Sequence, residues 1–467
     1  MSYQRDLAWE YLEQVNKSSI SYQLARYGLA LDYSHLPPNV LRAAKRSLLD
    51  TLGCAIGAYD APGRPMLETA MRRLGGTEEA TVFGSGLRTS AANATLVNCF
   101  LVRFLDFNDL GGGGHNSDAI PGILAVAERE KASGKDVLTA IVASYELGAR
   151  FTAASGIQGG QGGWNFDLRG GLTMPPVLGK MMGMSEEQIA NAIGITTCHC
   201  LPLGILDTNL EENTMSKNLR FGFVAHDAII ACLMAKEGFT GPVRIVEGEN
   251  GLNSAVLGGV FDREKMLDFS GWRILNTRHK LLCLNISTIG HVAATLAIVN
   301  EHKLKPEDIA SVRIKATLHE SHHTTVLSKK YPRNAETADH SAFYANAIAI
   351  KEGRVSPDIF EPEKFTDPVV LDLIEKITVE HDPTLTGFGG ASVITTRDGR
   401  TFEKRIDTPH GLGNDPFTDK EIEDKFSKMA FRYMGGKQVK QIIATVWSLE
   451  KLNSISRLTK LMVFPGK

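Results

Sequence analysis

The chain has 467 residues, 43% apolar and 22% charged, with a formal net charge of −2 and a pI near 6.7. That length exceeds one ordinary compact core, so two domains are expected. The balanced charge leaves no basic surplus to hold nucleic acid or an acidic membrane, and no apolar run is expected to span one.

The opening stretch MSYQRDLAWEYLEQVNKSS carries acids and lacks an apolar signal core, so a cytoplasmic address is expected. Helices dominate the first half. In PPNVLRAAKRSLLDTLGCAIGAY, Val40, Ala44, Leu48, Leu52 and Ile56 recur every four residues behind Pro37 and Pro38. Ser90 is placed to cap TSAANATLVNCFLVRFL. KDVLTAIVASYELGARF reads as a further helix, and Ser185 with Gln188 forms a capping box before SEEQIANAIGIT. A long helix is expected from Lys217 to a C-cap at Gly238. Strand alternation is scarce before residue 270.

The pattern then changes. ASVRIKATL alternates as a half-exposed strand, KITVEHD is a second, and ASVITTRDGRTFEKRID reads as a hairpin turning at Asp398–Gly399. SAFYANAIAIKEG is helical between them. Thr418 and Glu421 box the start of a helix that leads back to helical sequence. The expected fold is mainly α with a smaller α+β lid domain. Residues 1–274 and 411–467 form the helical domain, and 275–410 form the lid.

Six cysteines lie at 54, 99, 198, 200, 232 and 283, and only Cys198 and Cys200 are close. That spacing fits neither a zinc finger nor an iron–sulfur cluster, so buried thiols and no metal are expected. HESHH at 319–323 has the wrong spacing for H-E-x-x-H and is expected to run from a strand into a loop. Asp339–His340–Ser341 matches a catalytic triad in letters only, since chain neighbours do not supply triad geometry.

The densest chemistry is LDFNDLGGGGHNSD at 105–118. Asp106, Asn108 and Asp109 end one helix, and His115, Asn116, Ser117 and Asp118 open the next. Glycine costs conformational entropy to order, so four in a row suggest close approach of backbone to a ligand. His115 can move a proton, with Asp106 to orient it, and the next helix N-terminus suits a carboxylate. The plainer reading is a flexible surface loop with capping Asp and Asn. A second glycine-rich stretch, 155–171, suggests a mobile loop with Trp164 as a lid, or a plain loop; it matches no phosphate or dinucleotide motif. Lys217 at a helix start opposes the helix dipole unless it meets an anion; otherwise it is simply solvated. Arg278, His279 and Lys280 lie at the expected domain junction, where an acidic ligand would fit, or form a charged connecting loop.

Taken together, several stretches resemble the MmgE/PrpD family of 2-methylcitrate dehydratases and cis-aconitate decarboxylases. They are LLDTLGCAIGA, RFLDFNDLGGGGHNSDAIPGILAVAE, SKNLRFGFVAHDA, YPRNAETADHSAFYA and HGLGNDPFTDKEIEDKF, in family order across nearly the whole chain. The resemblance implies a helical domain with an α+β lid, a homodimer, and an active site between the domains that needs no cofactor. It also implies a small di- or tricarboxylate substrate. By the same resemblance Asp106, His115, Lys217 and Lys280 are the catalytic candidates. Leu110 and Asn116 stand where the family carries Thr and Pro. Trp164 to Asp167 occupy the region where members often carry a His, which makes Asp167 the expected substitute.

A lyase needs a base for a C–H beside a carboxylate, an acid for the departing hydroxyl, and cations for the carboxylates and the developing enediolate. His115 fits the first need, with a raised pKa expected from a neighbouring carboxylate. Lys217 and Lys280 fit the last. Asn108, Asp109, Ser117, Trp164, Asp167, Arg278 and His279 are candidate substrate contacts. The expected reaction is dehydration of a 2-methylcitrate-like acid. Decarboxylation of a cis-aconitate-like acid and epimerisation of a dicarboxylate such as iminodisuccinate share its proton transfer. A catalytically inactive binding or scaffold protein is the alternative of another class.

Overall fold

The capped, four-residue apolar spacing gives helices where expected. In the computed structural model, which describes residues 2–112, 114–156, 163–208 and 210–464, one helix runs Pro38–Gly57 with proline at its first turn. Ser90 caps the helix Ala91–Phe104 by accepting from the Asn93 N–H. The helix Gly134–Ser155 is boxed by Ser133 and Asp136, and Glu186–His199 by Ser185 and Gln188. The run expected to be one helix from Lys217 begins instead as a 3-10 turn, Met215–Leu219, and becomes α-helical at Arg220–Lys236. This Met215–Lys236 run is long and apolar enough to cross a membrane, contrary to the sequence expectation. Yet 61% of its apolar 18-residue window is buried inside the fold, as a core helix requires.

Before residue 270 the only described strands are the two-residue pair β1 (Ala80–Thr81) and β2 (Arg88–Thr89). The later part holds β3 (Ile309–Ala316), β4 (Ile377–His381), β5 (Gly390–Thr396) and β6 (Thr401–Ile406). They form one sheet in the order β4-β3-β5-β6. β3 and β4 are parallel, and β5–β6 is the antiparallel hairpin expected around Asp398–Gly399. Val312 and Ile314 of β3 are buried while Ser311 and Arg313 are exposed, the alternation of a sheet with one covered face. The helix Ile286–His302 covers that face, and Ala342–Glu352 packs on it in turn. After the sheet, Thr418 and Glu421 box the helix Asp419–Ala430, which packs along Pro38–Gly57 and returns the chain to the helical part. The fold is mainly helical with a small sheet in the C-terminal region.

HESHH is not a loop. Leu318–His323 forms a short helix directly after β3.

Candidate active site

The glycine run is a tight turn. The Gly111 N–H donates to the Gly114 carbonyl at 2.9 Å, and Gly114 returns the bond at 3.3 Å. Gly112 takes φ +58°, where a Cβ would also lie 2.6 Å from that of Ala149. Gly113 lies outside the described residues. A Cβ on Gly114 would meet the Arg169 guanidinium at 2.3 Å. The turn thus folds back so that both its flanks, Asp106 and His115, enter one buried cluster.

Asp106 itself has φ +43°, a left-handed conformation that strains a residue with a side chain. Its Oδ1 accepts from Lys280 Nζ at 2.8 Å and Arg103 Nη1 at 3.1 Å. Burial works to raise this carboxyl, but Lys280 and Arg103 outweigh it and hold Asp106 well below the usual carboxylate range. Lys280 also donates to the Asp106 and Leu284 carbonyls. Burial lowers its ammonium pKa, and Asp106 offsets only part of that.

His115 has a fixed tautomer. Its Nδ1 lies 2.7 Å from the Asp109 carbonyl oxygen, which can only accept, so Nδ1 carries the proton. Its Nε2 lone pair faces Asp106 Oδ1 at 3.6 Å. The backbone of Asp109, not the carboxylate of Asp106, therefore orients the ring. The expected rise in pKa is reversed: burial, then Arg103 and Lys280, push His115 well below its ordinary value. A neutral imidazole with a free Nε2 is a proton acceptor.

A second set of charges comes from far along the chain. Lys217, fully buried, donates to Asp339 Oδ2 at 2.5 Å and lies 3.2 Å from His340 Nδ1. His340 Nδ1 also contacts Asp339 Oδ1, and Asn285 Nδ2 lies 2.7 Å from His340 Nε2. Asn285 Oδ1 already accepts from Ser287 as a helix cap, which leaves its amide N–H to donate to Nε2. Ligating atoms of Asp106, Asp339 and His340 all lie within 4.8 Å of one another. The result is a closed cluster of two carboxylates, two lysines and two histidines drawn from four segments of the chain.

Asp106–Asp339–His340 and Asp207–His323–His340 are the two trios of metal-ligating side chains among the described residues. In the first, both carboxylates already hold lysine ammoniums, which a divalent ion would have to displace. The six cysteines are all unbridged. Cys54, Cys99, Cys232 and Cys283 are buried as expected, whereas Cys198 is exposed and Cys200 half-buried.

Comparison with known proteins matches the MmgE/PrpD N-terminal domain to residues 22–264 and the MmgE/PrpD C-terminal domain to residues 283–451. The chain belongs to the MmgE/PrpD family. It is 24% identical to the cis-aconitate decarboxylase-like protein oryM of Aspergillus oryzae, over 96% of this chain and 98% of the relative. It is 25% identical to human cis-aconitate decarboxylase, over 96% and 94%. It is 25% identical to the mitochondrial 2-methylcitrate dehydratase of Yarrowia lipolytica, over 88% and 84%.

Within this MmgE/PrpD chain the four catalytic candidates Asp106, His115, Lys217 and Lys280 converge. The proposed substrate contacts fare differently, because most are engaged in supporting the loop. Asn108 is buried and donates to Ser117 Oγ and Asp118 Oδ1, both at 2.8 Å, while its own oxygen accepts from Arg103. The Asp109 carboxylate accepts from the Tyr145 hydroxyl at 2.5 Å; burial, with Asp50 nearby, pushes it up to about 6. Asp167 is buried between Arg220 Nε at 3.1 Å and Arg169 Nη1 at 3.3 Å, so it is an ion-paired strut rather than a free proton donor. Arg169 in turn donates to the His115 carbonyl at 2.8 Å. Half-buried Trp164 forms a backbone bridge to Leu203. Arg278 pairs by its backbone with Leu110, and its guanidinium donates to the Thr277 carbonyl. His279 lies on the side of Asp50 and Lys425, where burial pushes it down to about 4. The helix N-terminus after His115 is a 3-10 turn, Asn116–Ala119, whose Asp118 N–H is already taken by the His115 carbonyl.

Sequence reasoning missed Arg103, Asn285, Asp339 and His340. The signal for two of them is in the sequence: Asp339 and His340 lie within YPRNAETADHSAFYA, one of the stretches that resemble the family.

Proposed function

We propose that the chain is a lyase that dehydrates a small hydroxy di- or tricarboxylate, with 2-methylcitrate the leading candidate. The observation that carries this reading is the His115 ring: Nδ1–H tied to the Asp109 carbonyl, Nε2 turned to Asp106, whose carboxylate Lys280 holds. In the forward step His115 Nε2 takes the proton from the carbon beside a carboxylate. Lys280 and Lys217 stabilise the carboxylates and the enediolate charge. Lys217 gives a proton to the departing hydroxyl, the C–O bond breaks, a C=C bond forms and water leaves. Asp106, kept anionic by Lys280 and Arg103, favours the imidazolium that His115 becomes. Asp106, Lys217, Lys280 and His340 are each at most 2% exposed, so substrate entry requires the enclosing segments to part.

The names of the decarboxylase relatives favour a second reading, in which the same groups protonate the carbon that loses carbon dioxide. Proton NMR in deuterated water with 2-methylcitrate, citrate and cis-aconitate separates them. A new vinyl signal from citrate, or conversion of the methyl doublet of 2-methylcitrate to a singlet of a methyl on a double bond, supports dehydration. A product of cis-aconitate lacking one carboxylate supports decarboxylation. Deuterium exchange alone points to an epimerase, and silence on a broad acid panel to a binding protein.

A homodimer in the cytoplasm completes the proposal. Leu203, Ile205, Leu210, Met215, Phe223 and Ile230 are exposed within one stretch, an apolar surface that a second copy would cover. Light scattering giving a monomer mass at micromolar concentration would remove that part.

A further inference from the structure

Among the described residues three lysine side chains are at most 1% exposed: Lys217, Lys280 and Lys329. Lys217 pairs with Asp339. Lys280 pairs with Asp106, and its bonds to the Asp106 carboxylate, the Asp106 carbonyl and the Leu284 carbonyl occupy all three of its N–H groups. Lys329, in the short helix Leu327–Lys330, is different. Its Nζ donates to the His323 carbonyl at 3.1 Å, which uses one N–H of the three, and among the described side chains no carboxylate pairs with it. The acids whose charge reaches it are already matched, Asp339 by Lys217 and Asp207 by Arg220. Taking a charge out of water without a partner is costly, so a buried ammonium in this state is suited to an anion that arrives from solution.

We propose that Lys329 receives the substrate carboxylate remote from the carbon on which His115 acts. The proposal rests on the reading of His115 as the proton-transferring group and of a small polycarboxylate as the substrate. Position supports the division of labour. The charges that bear on His115 are those of Arg103, Lys280, Asp106 and Arg220. Those that bear on Lys329 are Asp207, Lys217 and Asp339. The Lys217–Asp339 pair acts on both groups, with Lys217 bearing on Asp106 and Asp339 on Lys280. That pair therefore stands between Lys329 and His115, and a molecule that meets both must reach past it. A tricarboxylate has a carboxylate to place at each end; a short diacid held beside His115 has none left for Lys329.

Burial pushes Lys329 down to about 8 against the pull of Asp207 and Asp339, with Lys217 adding to the fall, so the ammonium is the main form at neutral pH. It has two N–H groups left to give a carboxylate, and those bonds are charge-assisted at both ends. A remote carboxylate keeps its charge and place while the reacting carbon changes. The contact is then equally strong before and during the chemical step, and it acts on KM rather than on kcat.

The test uses the full-length protein with Lys329→Met and, to guard against misfolding, Lys329→Gln. Binding of tricarballylate, a tricarboxylate with no hydroxyl to lose, is measured by calorimetry. Both variants should weaken it by roughly tenfold to a hundredfold, the span of a hydrogen bond to a charged group. Lys329→Arg keeps the charge and should recover part of the loss. Lys330→Met, whose ammonium pairs with Glu375, should leave the affinity unchanged. The urea midpoint of Lys329→Met should match or exceed that of wild type, because no buried carboxylate loses its cation. Unchanged affinity in both Lys329 variants overturns the proposal, and a lowered midpoint beside it makes Lys329 a structural tie to the His323 carbonyl. With whichever of 2-methylcitrate or cis-aconitate the wild type converts, KM should rise by a similar factor with kcat held within about twofold. A fall in kcat at constant KM places Lys329 at the reacting carbon and overturns the remote assignment. If tricarballylate binding depends on Lys329 but neither acid is converted, the clamp stands and the proposed reaction fails. A wild type that does not bind tricarballylate overturns both.

Discussion

Lys217 Nζ lies 2.5 Å from Asp339 Oδ2, with neither side chain more than 1% exposed. From sequence, Lys217 is a helix-start lysine that opposes the helix dipole unless it meets an anion, and is otherwise solvated. Its burial reverses that. Lys217→Met leaves the Asp339 carboxylate buried without its cation, a loss of about 3–5 kcal/mol. Urea denaturation should show this, and Lys217→Met with Asp339→Leu together should recover much of it. A single variant as stable as wild type would contradict the pairing.

His115 is expected to stay neutral, in its Nδ1–H form, well below pH 6.5, because burial, Arg103 and Lys280 all oppose its protonation. Histidine 15N chemical shifts, assigned with His115→Gln, report this directly. An imidazolium at pH 7 in the free protein would refute it. His115→Gln should lower turnover by roughly 10²–10⁴-fold, the span of a lost acid or base.

His291 supplies a stability test with a definite sign. It is buried, its Nδ1 lies 2.9 Å from Asn346 Nδ2, and burial pushes it down to about 4, with Asn346 offsetting part. The unfolded chain protonates this ring below about 6.5, while the folded one does not until about 4. The stability it contributes is therefore present above about 6.5 and lost as pH falls towards 4. Relative to His291→Gln, wild type should lose about 1.4 kcal/mol per pH unit across that window. Taking the difference removes the opposing contribution of Asp109, whose raised pKa of about 6 favours folding as pH falls. A flat difference would show that the ring is protonated in the fold.

Local signals were readable and long-range ones were not. Ser90, the Ser185–Gln188 and Thr418–Glu421 boxes and the Asp398–Gly399 turn act within a few residues, and each is found where the sequence placed it. The Ser133–Asp136 box is less legible, because the apolar run begins after it. Half of the cluster was hidden for a different reason. No periodicity links Lys217 to Asp339, or Lys280 to Asp106; only tertiary packing does. Burial also changes the meaning of a residue. Asp167 reads as a spare proton donor until Arg169 and Arg220 are seen on either side of it. The same holds for His115, whose neighbouring carboxylate suggested a raised pKa until two cations were found on it.

The glycines of the turn should separate in an alanine scan. Gly111 has room: its Cβ would stand 3.4 Å from Thr277 Cα, an ordinary contact, and Gly111→Ala should be near neutral. Gly112 carries φ +58° and would press on Ala149, including its Cα at 2.7 Å, so Gly112→Ala combines backbone strain with overpacking and should cost about 1–3 kcal/mol. Gly114 is the informative case. Its Cβ would strike Arg169 Nη1 at 2.3 Å, and Arg169 donates to the His115 carbonyl. A guanidinium at the end of a flexible side chain can move aside, so Gly114→Ala should lower stability less than Gly112→Ala. The movement releases the backbone of His115, however, and a catalytic ring displaced by even about 1 Å loses roughly 10²-fold in rate. Gly114→Ala should therefore lower kcat more than its effect on stability would suggest, while Gly112→Ala shows the opposite order. Thermal denaturation and turnover measured on the same three variants check this. If all three alanines reduce activity in proportion to stability, the turn does no more than close the chain, and Arg169 has no hold on His115.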